Sequence, residues 1–426
     1  MSDAIDILST DVHGFKDYDL DFHMRLMDRV YNFSPYYLTD PHDFKPADLP
    51  IWIGHKGRNL WTDALGVLNF ISFQYKTRNL FFGMCAMKLV ESVHNVLGKT
   101  RDSTRRLGLA TAAHPLNGGL RTGTKLAHGS FNRDFGYMGE SQDFFGLSLW
   151  MYALNRLSLA TNMPMFNGLA MELAQAVYPL FAHELDNQGA MPRWLSPNLG
   201  MIYIANCDGY NRLVSMLAAT VIQDTQKLNR WFVKSPGNRQ KPENTPLHGA
   251  INGLIEDILS RPGFLQYPDK RQHLDIYLST ENLRELALFL FVGFHGDDRW
   301  SFLVFNSAAG ALEHYLRDRV SALHGVHIDR PGYGGSMELL LIAIARCYVK
   351  RDSQDERLKD MEPILVQWRE LVTRYSKGID VPDDFPAHVY VSYVAAQMNE
   401  TFSFGSSTLQ WLLDKKGRLG YFPRTH

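Results

Sequence analysis

The chain is long and almost electrically neutral, and both properties limit what it can be. Its 426 residues carry a formal net charge of −1 at pH 7, so we expect no nucleic-acid partner, whose phosphates attract basic proteins. No apolar run approaches the roughly 20 residues that a bilayer-spanning helix needs. Three separated cysteines, Cys85, Cys207 and Cys347, favour a reducing compartment. We therefore expect a cytoplasmic protein with a small-molecule substrate and no membrane span, of undetermined oligomeric state.

The first predicted element is an arm, and paired helices follow it. Residues 1–50 are rich in Asp and close on DPHDFKPADLP, a composition typical of irregular chain. From about residue 60 the apolar positions recur at helical spacing. LWTDALGVLNFISFQY is followed by NLFFGMCAMKLVESVHNVLG, and ESQDFFGLSLWMYALNRLSLAT by PMFNGLAMELAQAVYPLFAHEL. Similar pairs continue to the end of the chain, and strand-like alternation is nearly absent.

This pattern predicts an all-α fold, a single-domain (α/α)6 toroid over residues 51–426 with residues 1–50 as an irregular N-terminal arm. About twelve helices form six hairpins, so that inner helices are buried on most sides and outer helices are amphipathic. An open helical solenoid is the alternative. Loops at one end of the inner ring would form a funnel-shaped pocket, and the long irregular segments 99–138 and 186–208 suit loops over it.

Two acids open one predicted inner helix, in the stretch GESQDFFGLSLWM. Glu140 and Asp143 share a helix face at a spacing of three residues. They could divide acid and base roles in catalysis, or hold a divalent cation such as Mg²⁺ together with Asp134. The alternative interpretation is structural: Glu140 caps the helix and Asp143 adds favourable charge to its first turn.

A third candidate acid, Asp63, lies in WTDALG near the start of an earlier inner helix. Trp61 beside it would give an aromatic platform next to a carboxylate, an arrangement that suits a sugar ring or a carbocation. Here too the structural alternative is a first-turn charge or cap. We predict catalytic roles for Glu140, Asp63 and Asp143.

The loop HPLNGGLRTGTKL carries cations on a flexible, glycine-rich backbone. His114, Arg121 and Lys125 could clamp a phosphate or diphosphate, although the P-loop spacing is missing. Alternatively, these charges pair with nearby acids in a solvated loop. Aromatic side chains at helix ends and on the inner helix complete the predicted substrate-binding set, which comprises Arg121, Lys125, His114, Trp61, Phe145, Trp150, Trp194 and Tyr210.

Several stretches resemble a family of mostly uncharacterised microbial proteins with the six-hairpin glycosidase-like fold. They are LWTDALGVLNFIS (60–72), VHNVLGKTR (93–101), HPLNGGLRTGTKL (114–126), LWMYALNRLSLAT (149–161) and, loosely, LSPNLGMIYIANCDGYN (195–211). The family often reads DGQYFHYLTKWM where this chain reads ESQDFFGLSLWM. The leading acid survives as Glu140 and Gln142 is kept, but Phe145 and Leu149 replace a His and a Lys. The resemblance thus implies a sugar-type pocket that has become more apolar.

Three functional hypotheses follow. The first is an intracellular biosynthetic lyase: a terpene cyclase that ionises a prenyl diphosphate with Mg²⁺ in an aromatic-lined pocket, by analogy with fungal humulene synthases that lack the usual Asp-rich motifs. The second is a glycoside hydrolase or related sugar-active enzyme that uses paired carboxylates on the same fold. The third is a non-catalytic helical protein that binds a ligand. We prefer the cyclase by a narrow margin.

Overall fold

The computed structural model describes residues 18–34, 40–46, 58–100, 102–123, 141–183, 192, 194–200, 202–204, 222, 391 and 394–395. The helices are α1 (Tyr18–Tyr31), a short 3-10 helix (Pro41–Asp43), α2 (Leu60–Thr77), α3 (Leu80–Val96), α4 (Phe144–Thr161) and α5 (Pro164–His183). The strands are β1 (Gln142–Asp143), β2 (Trp194–Leu195) and β3 (Ile202–Ile204). Among these helices, none combines the length and the apolar character that a membrane crossing requires.

Helices α2, α3 and α4 have local sequence signals at their ends. The side chains of Asn59 and Asn79 accept hydrogen bonds from backbone N–H groups of the first turns of α2 and α3, which satisfies donors that a helix start leaves unpaired. Arg78 and Asn162 end α2 and α4 in the left-handed conformation, a common helix terminator. The two predicted hairpins of this region, α2–α3 and α4–α5, are therefore confirmed.

The burial of these helices separates inner from outer positions. Every side chain of α2 from residue 62 to residue 74 is buried, and α4 is buried over its whole length except for Tyr152 and Thr161. On α3 the buried side chains recur at helical spacing and half-buried or exposed ones lie between them, as expected of an amphipathic outer helix. This is the predicted division, with α2 and α4 inside and α3 outside.

The two inner helices run in the same direction, side by side. Helix α2 packs against both α3 and α4, and α4 packs against α5. The start of α2 and the segment leading into α4 are joined by backbone hydrogen bonds through Thr122, so both N-termini lie at one end of the molecule. Parallel inner helices with antiparallel outer partners are the arrangement that an (α/α)6 toroid requires.

Contacts at long sequence separation extend this arrangement. The Asn69 Nδ2 atom on α2 donates to the backbone oxygen of Val391, 322 residues further along the chain, at 2.9 Å. On α4 and α5, Asn155 Nδ2 donates to Asn167 Oδ1 at 2.9 Å, and Asn167 Nδ2 donates to the Ile222 oxygen at 3.1 Å. Because α2 contacts both α4 and Val391, near the end of the chain, the described contacts agree with a closed ring.

Two differences from the sequence expectation concern the N-terminal arm and the sheet. Residues 18–31, predicted to be irregular, form α1, because Phe22, Leu26 and Met27 are buried on one helical face despite the surrounding acids. Phe33 then packs edgewise, and Tyr31 at a tilt, against Phe70 of α2. In addition, β1, β2 and β3 form a small antiparallel sheet in that order, with strands of two or three residues that are too short for a recognisable alternation.

Candidate functional site

The N-terminal ends of α2 and α4 form the candidate site, which we call the mouth. Thr122 joins them: its carbonyl accepts from the Leu60 N–H at 3.0 Å, and its own N–H donates to the Ser141 oxygen at 2.8 Å. The glycine-rich loop (residues 114–123) and the β1–β2–β3 sheet border the same end, since β1 leads directly into α4. The mouth therefore gathers most of the sequence-predicted site residues that the structure describes.

Asp63 lies just inside the mouth in a buried charge cluster. Its Oδ1 atom accepts from Arg58 Nε at 2.9 Å and from the Tyr31 hydroxyl at 3.1 Å, and its Oδ2 atom accepts from Arg58 Nη2 at 3.2 Å. The side chains of Arg58 and Asp63 are only 2% and 0% exposed. Burial raises the pKa of the Asp63 carboxyl, and the charge and hydrogen bonds of Arg58 act against that rise.

This cluster links the N-terminal arm to the ring, because Tyr31 ends α1 and Asp63 lies in the first turn of α2. The Arg58 guanidinium also lies over the Tyr31 ring, 5.2 Å from its centroid. Neither Arg58 nor Tyr31 was among the predicted site residues. In the sequence, Arg58 stands out only as a cation five residues before Asp63, and this spacing does not indicate that either side chain is buried. The catalytic role of Asp63 remains a prediction, while its structural role is evident.

Asp143 is the N-cap of α4, and the half-buried Trp194 lies beside it. Its carboxylate accepts from the N–H groups of Phe145 and Gly146, both at 3.4 Å. In the antiparallel pairing of β1 with β2, Asp143 is opposite Trp194. Asp143 thus has the capping position that the sequence interpretation had assigned to Glu140. Glu140 and Asp134, the other predicted metal ligands, lie outside the described residues.

A metal centre therefore stays a prediction. Among the described residues, no group of three or more His, Cys, Asp or Glu side chains is arranged to hold an ion. Of the three predicted Mg²⁺ ligands, only Asp143 belongs to the described part of the chain, and one carboxylate does not make a site for a cation that prefers several oxygen ligands.

Of the residues predicted to clamp a phosphate, the two that the structure describes have protein partners. The Arg121 side chain is buried and its guanidinium donates to backbone oxygens at the C-terminal end of α3, from Nε to Lys99 at 2.7 Å and from Nη2 to Val96 at 2.8 Å. A cation there satisfies carbonyls that a helix end leaves unpaired and complements the helix dipole. His114 Nδ1 lies 3.2 Å from Glu172 Oε2 on α5, with the His114 side chain 63% exposed. Lys125 lies outside the described residues.

The aromatic candidates divide between core and mouth. Trp150 is fully buried, and its Nε1 donates to His94 Nε2 at 3.1 Å between α4 and α3. Burial, followed by the nearby Arg106 charge, lowers the pKa of His94 to about 3, so His94 is neutral and free to accept. Phe145 is also buried. Trp61 and Trp194 are half-buried, and Tyr210 lies outside the described residues.

No family model matches the chain, and no curated protein matches it. A D-mannose isomerase structure has 10% sequence identity and a TM-score of 0.48, covering 92% of this chain and 99% of that one. Cellobiose 2-epimerase from Spirochaeta thermophila DSM 6192 has 12% identity, coverages of 93% and 100%, and a TM-score of 0.47. The same enzyme from Bacillus thermoamylovorans B4167 has 10% identity, coverages of 90% and 100%, and a TM-score of 0.49.

The predicted fold class, an (α/α)6 toroid of the six-hairpin glycosidase-like type, is confirmed, and the two described hairpins, α2–α3 and α4–α5, agree with it. The preferred function, a terpene cyclase acting on a prenyl diphosphate, is wrong. The similar structures are sugar isomerases and epimerases. The described residues agree, because the Arg121 guanidinium, which was to grip the diphosphate, is directed at backbone carbonyls of α3.

Proposed function

We propose that the chain is a sugar-active enzyme that binds a free mono- or disaccharide at the mouth. The observation that carries the proposal is the pairing of Asp143 with Trp194 at the N-terminal end of α4. A half-buried indole offers an apolar face to a sugar ring, while a neighbouring carboxylate accepts its hydroxyl hydrogens. Small-molecule sites combine apolar walls with a few placed polar groups in this way. The sequence resemblance of residues 60–72 and 114–126 to the six-hairpin family supports the same assignment.

The reaction class that we favour is isomerisation or 2-epimerisation rather than hydrolysis. Hydrolysis needs two carboxylates that flank the glycosidic bond. Of the three acids with predicted catalytic roles, Asp63 is fully buried and bonded to Arg58 and Tyr31. Isomerisation and 2-epimerisation both begin when a proton leaves the carbon beside the carbonyl. A proton is then added to the same carbon in 2-epimerisation, or to the former carbonyl carbon in isomerisation, so acid–base groups suffice without a co-reactant. The mannose isomerase and cellobiose 2-epimerase named above supply the substrates for the first assay.

The test is to incubate the full chain with D-mannose, D-fructose or cellobiose in D₂O and to follow the sugars by ¹H and ¹³C NMR. We expect conversion of at least one sugar. Deuterium should enter at C2 in 2-epimerisation, and at the former carbonyl carbon in isomerisation, which is C1 of a ketose formed from an aldose and C2 of an aldose formed from a ketose. Aryl glycosides, in a parallel assay, report hydrolysis. Release of the aryl group without any isomerisation would change the reaction class, and an absence of both activities would overturn the proposed function.

A further inference from the structure

Gln142, the first residue of β1, is a buried polar side chain with three backbone partners. It is 0% exposed. Its Oε1 atom accepts from the Leu120 N–H at 3.0 Å, and its Nε2 atom donates to the oxygens of Gly118 and Pro197, both at 2.7 Å. An amide side chain has an N–H₂ group that donates and an oxygen that accepts, and Gln142 uses both. A side chain that could only donate, only accept or do neither would not make all three hydrogen bonds.

The partners of Gln142 belong to two separate segments that border the mouth. Gly118 and Leu120 lie in the glycine-rich loop, and Pro197 begins the turn between β2 and β3. The backbone of Gln142 also pairs with Leu195 in the sheet. One side chain therefore holds the glycine-rich loop, the turn after Trp194 and the entry to α4 in a single arrangement.

The glycine-rich loop is shaped to receive this side chain. Gly119 has a φ of +73°, in the left-handed region that favours glycine, and a Cβ atom built there would overlap Gln142 Oε1. Arg121 then continues the loop with its N–H bonded to the Leu97 oxygen at 3.0 Å. The close approach of backbone and amide explains why glycine occupies position 119.

We infer that Gln142 is a positioning residue for sugar binding: it does not contact the sugar, but sets the relative placement of the glycine-rich loop and of Trp194 at the mouth. This inference rests on the proposed function. Since Gln142 is wholly buried, it acts through the backbone groups that it holds. Its loss should loosen both segments and weaken sugar binding, and should leave the ring helices unchanged.

The first measurement is hydrogen–deuterium exchange at single-residue resolution on the full chain, comparing wild type with Gln142→Met, which keeps the length of the side chain and removes its hydrogen bonds. We expect the Leu120 amide to exchange about tenfold faster or more, with α2 and α3 unaffected. In Gln142→Glu the Leu120 amide should stay protected, because an acceptor remains. Gln74→Met is the matched control, since Gln74 is also buried on α2 but makes no hydrogen bond to the described residues of the mouth. It should leave Leu120 unchanged.

The second measurement is the kinetics of the same variants on whichever of D-mannose, D-fructose or cellobiose the wild type converts. A positioning role predicts a KM raised by about tenfold in Gln142→Met, a smaller rise in Gln142→Glu, and none in Gln74→Met. Unchanged exchange at Leu120 would overturn the inference whatever the activity. Faster exchange with an unchanged KM would also overturn it, since the role would then be structural only. A wild type that converts no sugar refutes the proposed function and the inferred role together, and the exchange data show separately whether Gln142 holds the loop.

Should Gln142→Met fail to fold, Gln142→Glu carries both measurements. It removes the donors to Gly118 and Pro197, so the turn after Trp194 should exchange faster than in the wild type while Leu120 does not. If the backbone amides of that turn exchange equally fast in Gln142→Glu and in the wild type, the inference is wrong.

Discussion

At the scale of single residues, the fold places charged and polar groups in the interior and gives them specific partners. Asp63 and Arg58 form an ion pair with almost no exposure, and the Tyr31 hydroxyl completes the shell of the carboxylate. Taking two charges out of water is costly, and the pair tolerates burial because each charge faces the other with direct hydrogen bonds. Removing one member leaves the other charged and uncompensated.

We therefore predict that Asp63→Asn lowers the free energy of unfolding by about 3–5 kcal/mol. The substitution keeps the shape of the side chain and removes the charge that compensates Arg58. Urea unfolding followed by circular dichroism measures the change. Asp21→Asn is the matched control, because the Asp21–Arg25 pair is more than half exposed and should change stability by no more than about 0.5 kcal/mol. Equal effects in the two variants would show that burial of the Asp63 pair contributes nothing.

His94 gives a prediction for the pH dependence of stability. Its pKa is lowered to about 3 in the folded protein by burial first and by Arg106 second, whereas an unfolded histidine titrates near pH 6.5. The unfolded state therefore binds one more proton between these values, and stability falls as the pH falls. The contribution of His94 should be about 1.4 kcal/mol per pH unit.

The measurement is the free energy of unfolding between pH 6.5 and pH 3.5 for wild type and His94→Gln. Glutamine offers an oxygen acceptor for the Trp150 N–H and does not titrate, so the variant should show a shallower slope by that amount. Parallel slopes would mean that His94 is not held in its neutral form by the fold.

At the scale of elements, substitutions of Asp143 at the start of α4 distinguish a helix-capping role from a catalytic one. Asp143 caps α4 through two backbone N–H groups, and Asn caps as well as Asp does, whereas Ala does not. We predict that Asp143→Ala lowers the free energy of unfolding by about 1 kcal/mol and that Asp143→Asn leaves it unchanged.

The same pair of variants tests the predicted chemistry of Asp143. If the carboxylate acts on a sugar, Asp143→Asn should lose turnover in the NMR assay while its unfolding curve matches that of the wild type. Turnover retained in Asp143→Asn and reduced in Asp143→Ala would assign Asp143 to the helix cap alone.

The helices were the elements that could be predicted best. α2, α3, α4 and α5 coincide with the apolar runs read from the sequence, because helical spacing and Asn or Asp caps are local properties. Helix α1 was missed, since its acidic neighbours masked the spacing of Phe22, Leu26 and Met27. The strands β1 and β2 were missed as well, because two-residue strands are defined only by their partners.

At the scale of the whole molecule, the meeting of α2 with the segment around Val391 brings distant parts of the chain together. Val391 and Val394 are 0% exposed and Ala395 is 1% exposed. The Asn69 amide reaches the Val391 oxygen across this contact. The burial of α2, the first inner helix, therefore depends on residues near the C-terminal end of the sequence.

We predict that Val394→Asp lowers the free energy of unfolding by about 4 kcal/mol or more, because it buries a charge for which the described residues offer no partner. Thermal unfolding followed by far-ultraviolet circular dichroism measures the loss. Leu109→Asp is the matched control: Leu109 is 84% exposed, and its change should stay within about 0.5 kcal/mol. A Val394→Asp protein as stable as the control would contradict the close packing at this contact.

The sequence by itself determined the helical hairpins, the inner and outer character of α2, α3 and α4, and the concentration of polar residues near their ends. These follow from the spacing of apolar side chains, which acts over a few residues. Tertiary structure alone decided what each polar residue does. Asp63 pairs with Arg58 and Tyr31, Arg121 donates to carbonyls at the end of α3, and Gln142 bonds to two separate loops. A buried polar group must be hydrogen-bonded, and its partners are those that the packing of distant segments brings within reach.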